Sequence, residues 1–111
     1  MTLALTIGAA LLGCAGGTTA PAQPVDANRV TMAKSYRFEP AAIRVPVGAT
    51  VTWMNDDNFT HNVHVMGAGE WASEPLNPGA STSHSFGGAG ELAYQCDFHP
   101  QQMKGRIVVG S

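Results

Sequence analysis

Three sulfur and nitrogen donors crowd one short stretch near the end of the chain. Cys96, His99 and Met103 lie between two strand-like runs, Glu91–Cys96 and Gly105–Val109. A thiolate, an imidazole and a thioether are soft or borderline ligands, and together they suit copper. The trigonal arrangement of two His and one Cys with a long axial Met needs one further imidazole. That stretch has none to give. His61, in Phe59-Thr60-His61-Asn62-Val63, can supply it from another part of the chain. The chain must therefore fold so that a distant segment closes over the loop, and one copper ion bound by His61, Cys96, His99 and Met103 is the expected centre.

The rest of the sequence supplies a frame for such a closure. With 111 residues there is enough for one domain with one modest core. Apolar and polar residues alternate from Val30 to Ser35 and again at Ile43, Val45 and Val47, with Pro46 implying an edge or bulged strand there. Thr50–Asn55 reads as a strong strand, with Val51 and Trp53 on one face and Thr50 and Thr52 on the other. Asn55–Asn58 forms a polar turn, His61–Met66 the next strand, and the glycines and prolines between Gly67 and Gly79 a long loop. With Ser81–Phe86 and the two runs flanking the ligand loop, seven to eight short strands predict an all-β antiparallel Greek-key sandwich. Met32, Met54 and Met66 are expected to pack, and Trp53 to fill the core. His64 falls on the opposite side of its strand from His61 and is expected at the surface. His84 is expected to be a partly buried core residue.

Residues 1–13 are small and apolar and read as a signal peptide. The sequence Leu11-Leu12-Gly13-Cys14 resembles the lipobox of bacterial lipoproteins, which implies lipid on Cys14. Residues 14–28, with small side chains and two prolines, read as a flexible linker. The domain is then 29–111, exported and tethered at the periplasmic or extracellular face of a membrane. With Cys14 lipidated, Cys96 is the remaining thiol, and a metal is the natural holder of a single thiol in an oxidising compartment. Eight acidic residues against six basic ones give a net charge of −2, which offers no footing for nucleic acid. No apolar run approaches the about 20 residues of a membrane-spanning helix.

The chain also carries Phe38-x-Pro40-x-x-Ile43-x-Val45-x-x-Gly48, an upstream His61-Asn62-Val63, and Cys96-x-x-His99-x-x-x-Met103. In these features it resembles the small blue copper proteins of the cupredoxin family, close to plastocyanin and amicyanin. The resemblance implies the same four ligands, with three residues between His99 and Met103 where the two relatives have shorter and longer spacings. It implies that Asn62 ties the two ligand segments together. It implies too that His99 reaches the surface through an apolar patch made by Phe59, Phe98 and Pro100. Pro100 restricts the backbone of His99 to extended geometry. The implied function is single-electron transfer between redox proteins by a monomer that docks transiently. The competing reading is an exported protein for copper storage or delivery. An oxidase is not expected, because Gln95 and Asp97 flank Cys96 where a bridging site would need histidines.

Overall fold

The computed structural model describes residues 23–110. Ten strands run in order: β1 Val25–Asp26, β2 Arg29–Ala33, β3 Arg37–Glu39, β4 Ala42–Val45, β5 Thr50–Asn55, β6 His64–Val65, β7 Trp71–Ala72, β8 Ser81–Ser85, β9 Gly90–Gln95 and β10 Lys104–Val109. They form two sheets, one ordered β1-β4-β10-β9-β6-β7 and the other β3-β2-β5-β8. The two sheets make the expected all-β sandwich. Both are mixed, because β1–β4, β4–β10 and β2–β5 pair in parallel while the other pairings are antiparallel.

Strand β5 shows why the layers close. Val51, Trp53 and Asn55 point inward, whereas Thr50, Thr52 and Met54 point out. The outward hydroxyls pair across to β8, Thr50 with Ser85 and Thr52 with Ser83, each at 2.8 Å. Met54 follows this outer face and is exposed, so it does not pack as expected. Inside, Trp53 meets Tyr94 edge-on, and Tyr94 meets Phe38 in the same way. Met32, Ile43, Val51, Val65 and Ile107 fill the space around them. Gly105 has no room for a side chain, because a Cβ there would lie 2.4 Å from the Tyr94 ring. That close approach seats Tyr94 against β10, two residues before Cys96.

Three segments differ from the expected elements. Strand β4 ends at Val45 and lies between β1 and β10, so Pro46 belongs to the following turn rather than to an edge strand. There the Pro46 carbonyl accepts from Ala49 N at 3.1 Å. Pairing begins at Val25, within the stretch read as linker, because Val25 and Asp26 extend the sheet beside Ile43 and Arg44. Finally, only His64 and Val65 of the segment His61–Met66 join the ladder to β9. His61 instead exchanges backbone hydrogen bonds with Leu76, at 3.1 and 2.7 Å, and so pairs with the long loop.

Candidate metal centre

The turn after β5 is wound around one buried side chain. Asn55 ends the inward face of β5, and its amide donates to the carbonyls of Phe59 and Leu76 at 2.8 and 2.9 Å. Its own oxygen accepts from Asp57 N at 2.8 Å. These bonds fix the turn and deliver His61, fully buried, to the end of the sandwich. Behind it, His61 Nε2 lies 2.8 Å from the buried Asp57 carboxylate. Burial alone would raise the Asp57 carboxyl, but hydrogen bonds from His61 and from Asn58 N outweigh it and hold the group below its ordinary value. A carboxylate on the rear nitrogen fixes the tautomer and orientation of a ligating histidine. His61 Nδ1 is thereby left facing forward.

The opposite side is the loop after β9. Cys96 N donates to Met103 O at 3.0 Å, His99 N to Cys96 O at 3.1 Å, and Met103 N to His99 O at 2.9 Å. The loop thus turns back on itself with Cys96 and Met103 both fully buried. Asp97 N donates to Asn62 Oδ1 at 2.8 Å, and Asn62 Nδ2 reaches the Asp97 carboxylate at 3.2 Å. The same carboxylate meets Gln95 and His64, whose hydrogen bonds lower its pKa against the opposing effect of burial.

The three donors converge. Cys96 Sγ lies 3.6 Å from His61 Nδ1 and 3.9 Å from His99 Nδ1, and the ligand atoms all fall within 4.8 Å of one another. First-row metal bonds of about 2.3 Å to thiolate and 2.0 Å to imidazole, opened to about 120°, would separate sulfur from nitrogen by about 3.7 Å. The two observed distances bracket that value. Two imidazoles with one thiolate in this spacing fit a trigonal copper site.

The remaining expected residues are placed as follows. Phe59 and Phe98 are each 52% exposed, and His99 and Pro100 are half-buried. His64 bridges Asp97 and Glu70 at the surface, away from the sulfur. His84 is half-buried, stacks on Trp71 with ring centroids 4.3 Å apart, and is pushed to a lower pKa by burial. Cys14 lies outside the described residues. Sequence reasoning missed Asn55, Asp57 and Tyr36. The alternation of β5 already put Asn55 on the inner face, and Asp57 stands four residues before His61. Nothing local marks Tyr36, whose ring lies over His99 at 4.3 Å.

The description "copper binding proteins, plastocyanin/azurin family" matches residues 25–110. Amicyanin of Paracoccus denitrificans is 33% identical over 94 residues, covering 81% of this chain and 71% of the relative. Plastocyanin of Scenedesmus fuscus is 39% identical over 83 residues, 65% of this chain and 85% of the relative. Among solved structures, a purple cupredoxin from Nitrosopumilus maritimus superposes with a TM-score of 0.71 at 29% identity, covering 76% of this chain and all of that one (100%). The reduced state of an amicyanin variant gives 0.66 at 37% identity, over 75% of this chain and 81% of its own. Sandwich, ligand cluster and sequence match agree: the chain belongs to the plastocyanin/azurin family of copper-binding proteins.

Proposed function

We propose that this chain carries single electrons between redox proteins through one type 1 copper held by His61, Cys96, His99 and Met103. The observation that carries the reading is the buried Cys96 sulfur facing one imidazole nitrogen from each side, at 3.6 and 3.9 Å. A copper ion held there supplies a one-electron couple between Cu(II) and Cu(I). The protein contributes a nearly fixed donor set, because hydrogen bonds to Asp57, to Asn62 and within the loop backbone hold the ligand segments. Met103 would complete the donor set with a weak thioether bond, a role supported by its complete burial and by the backbone bond that closes its loop onto Cys96. Electrons enter and leave past His99, where Phe59, Phe98 and Pro100 form an apolar rim suited to a brief encounter of less than about 1,200 Å². The protein is a carrier without substrate chemistry. It is exported and tethered through lipid on Cys14, with the residues before Val25 as the standoff; the sequence from Leu11 to Cys14 supports this.

The test is the visible spectrum of the copper-loaded protein. Thiolate-to-copper charge transfer should give intense colour that Cys96→Ser abolishes. Met103→Leu should keep both colour and copper while raising the potential, as a weak axial ligand predicts. Colour that survives Cys96→Ser would overturn the ligand assignment.

A further inference from the structure

The connection between β2 and β3 is built against the preferences of its residues. Ala33 pairs with Arg37, leaving Lys34, Ser35 and Tyr36 to turn the chain. Ser35 and Tyr36 both have positive φ, 74° and 59°. Such positions are ordinarily filled by Gly or Asn, and a bulky side chain there is a marked outlier. Strain of this kind persists only where the surroundings over-determine it, and it clusters at functional sites.

Here the left-handed backbone aims the Tyr36 ring at the metal pole. Its centroid lies 4.3 Å from that of His99, tilted by 42°. It meets His61 edge-on at 5.9 Å and stacks on Phe59 at 5.5 Å. Half-buried against the core, Tyr36 therefore touches both histidines of the cluster and one wall of the apolar rim. The two histidines differ in what orients them. His61 has the Asp57 carboxylate behind it. For His99 the structure offers the face of Tyr36, and an imidazole turns readily about its last bond unless something packs against it.

We propose that Tyr36 is a positioning residue for His99: it fixes the plane of the imidazole and keeps water from that side of the centre. This rests on the copper reading above. An apolar shell around a metal site lowers the local dielectric, which disfavours the more highly charged state. Removing the ring should therefore stabilise Cu(II) relative to Cu(I) and lower the reduction potential.

Two variants separate the ring from the turn. Tyr36→Phe keeps the ring, whereas Tyr36→Asn tolerates the left-handed backbone and removes it. Should Tyr36→Asn fail to fold, Tyr36→Gly accepts the same φ and takes its place. In the copper-free protein, the proton NMR signals of the His99 ring should carry a ring-current shift shared by wild type and Tyr36→Phe. Tyr36→Asn should lose it. In the copper-loaded protein, the ratio of Cu(II) to Cu(I) affinity should rise about three- to tenfold in Tyr36→Asn and stay near wild type in Tyr36→Phe. Unmoved His99 signals in Tyr36→Asn would overturn the proposal, and so would a wild-type potential in that variant. Tyr36→Phe behaving like Tyr36→Asn would also overturn it, since the hydroxyl would then be responsible. A Tyr36→Asn that merely melts earlier would make Tyr36 a structural cap and end the proposal. If wild type binds no copper, the copper reading fails while the copper-free spectra still decide whether Tyr36 orients His99.

Discussion

His61 and His99 present their Nδ1 atoms to the same sulfur, at 3.6 and 3.9 Å, from very different surroundings. His61 is fully buried, bridged through its backbone to Leu76, and backed by a carboxylate. His99 is half-buried, sits on a loop that folds back on itself through backbone hydrogen bonds, and rests against the half-buried ring of Tyr36. One side of the centre is built into the sandwich, and the other is laid over its end. A carrier needs both. Ligands that hold still keep reorganisation small, and one ligand near the surface gives electrons a short way out. Hydrogen bonds exchanged between Asn62 and Asp97 join the two sides across the gap.

The comparison breaks most visibly at Asp57. Asp57→Ala leaves the rear nitrogen of His61 buried with no acceptor, and frees Asn58 N as well. Losing a buried hydrogen bond to a charged group costs about 1.5–3 kcal/mol. Losing a partner behind a metal ligand costs about 10–100-fold in affinity. Urea unfolding of the copper-free protein and a competition titration with a copper chelator should show both losses. Wild-type values in each would mean that His61 is held by its backbone bridge alone.

How much of this was legible follows the same division. The His99 side is local in sequence: Cys96, His99 and Met103 share one loop, and ligand chemistry alone singles them out. Strands β5, β8, β9 and β10 are regular enough for alternation to reveal them. The His61 side depends on contacts that alternation does not encode. His61 pairs with Leu76 across a loop, so the run His61–Met66 looked like a longer strand than the two residues that join the ladder. Asp57 looked like one more polar turn residue because its burial comes from the fold, not from its neighbours. The parallel pairings escaped for a related reason. Alternation fixes which face is buried, and it says nothing about strand direction. Tyr36 was hidden furthest, since a tyrosine in a hairpin turn carries no sign of the histidine it will meet.

A smaller effect should come from His64, which reports on the bridge between the sides without touching a ligand. Hydrogen bonds to Asp97 and then to Glu70 raise its pKa above the ordinary value near 6.5, against the opposing effect of burial. A raised folded pKa gives stability that is full below the unfolded value and is lost as pH rises through the folded one. The wild type should therefore exceed His64→Gln in stability most at about pH 5–6.5, where Asp97 and Glu70 are ionised. The advantage should shrink as pH rises further. The groups are partly exposed, so the difference should be about 0.2–1 kcal/mol and weaken in salt. Urea midpoints for both proteins across pH read it directly. A difference independent of pH would show that packing, not charge, is what His64 supplies.

The smallest effect on stability, and the sharpest test of the division, belongs to Phe98. It lies next to His99 in sequence, 52% exposed, on the side read as laid over the end of the sandwich. An aromatic ring in that position is half in water already, so truncating it removes little buried area. Phe98→Ala should change unfolding stability by no more than about 0.5 kcal/mol, and the ligand cluster should keep its spectrum because Phe98 makes no bond to any ligand side chain. If the apolar rim is where partners dock, the electron self-exchange rate should nonetheless fall, since shedding water from that rim is part of each encounter. A large loss of stability would make Phe98 a structural lid and move His99 to the built-in side with His61. Unchanged stability with unchanged self-exchange would leave His99 on the surface side but take the docking site away from Phe98.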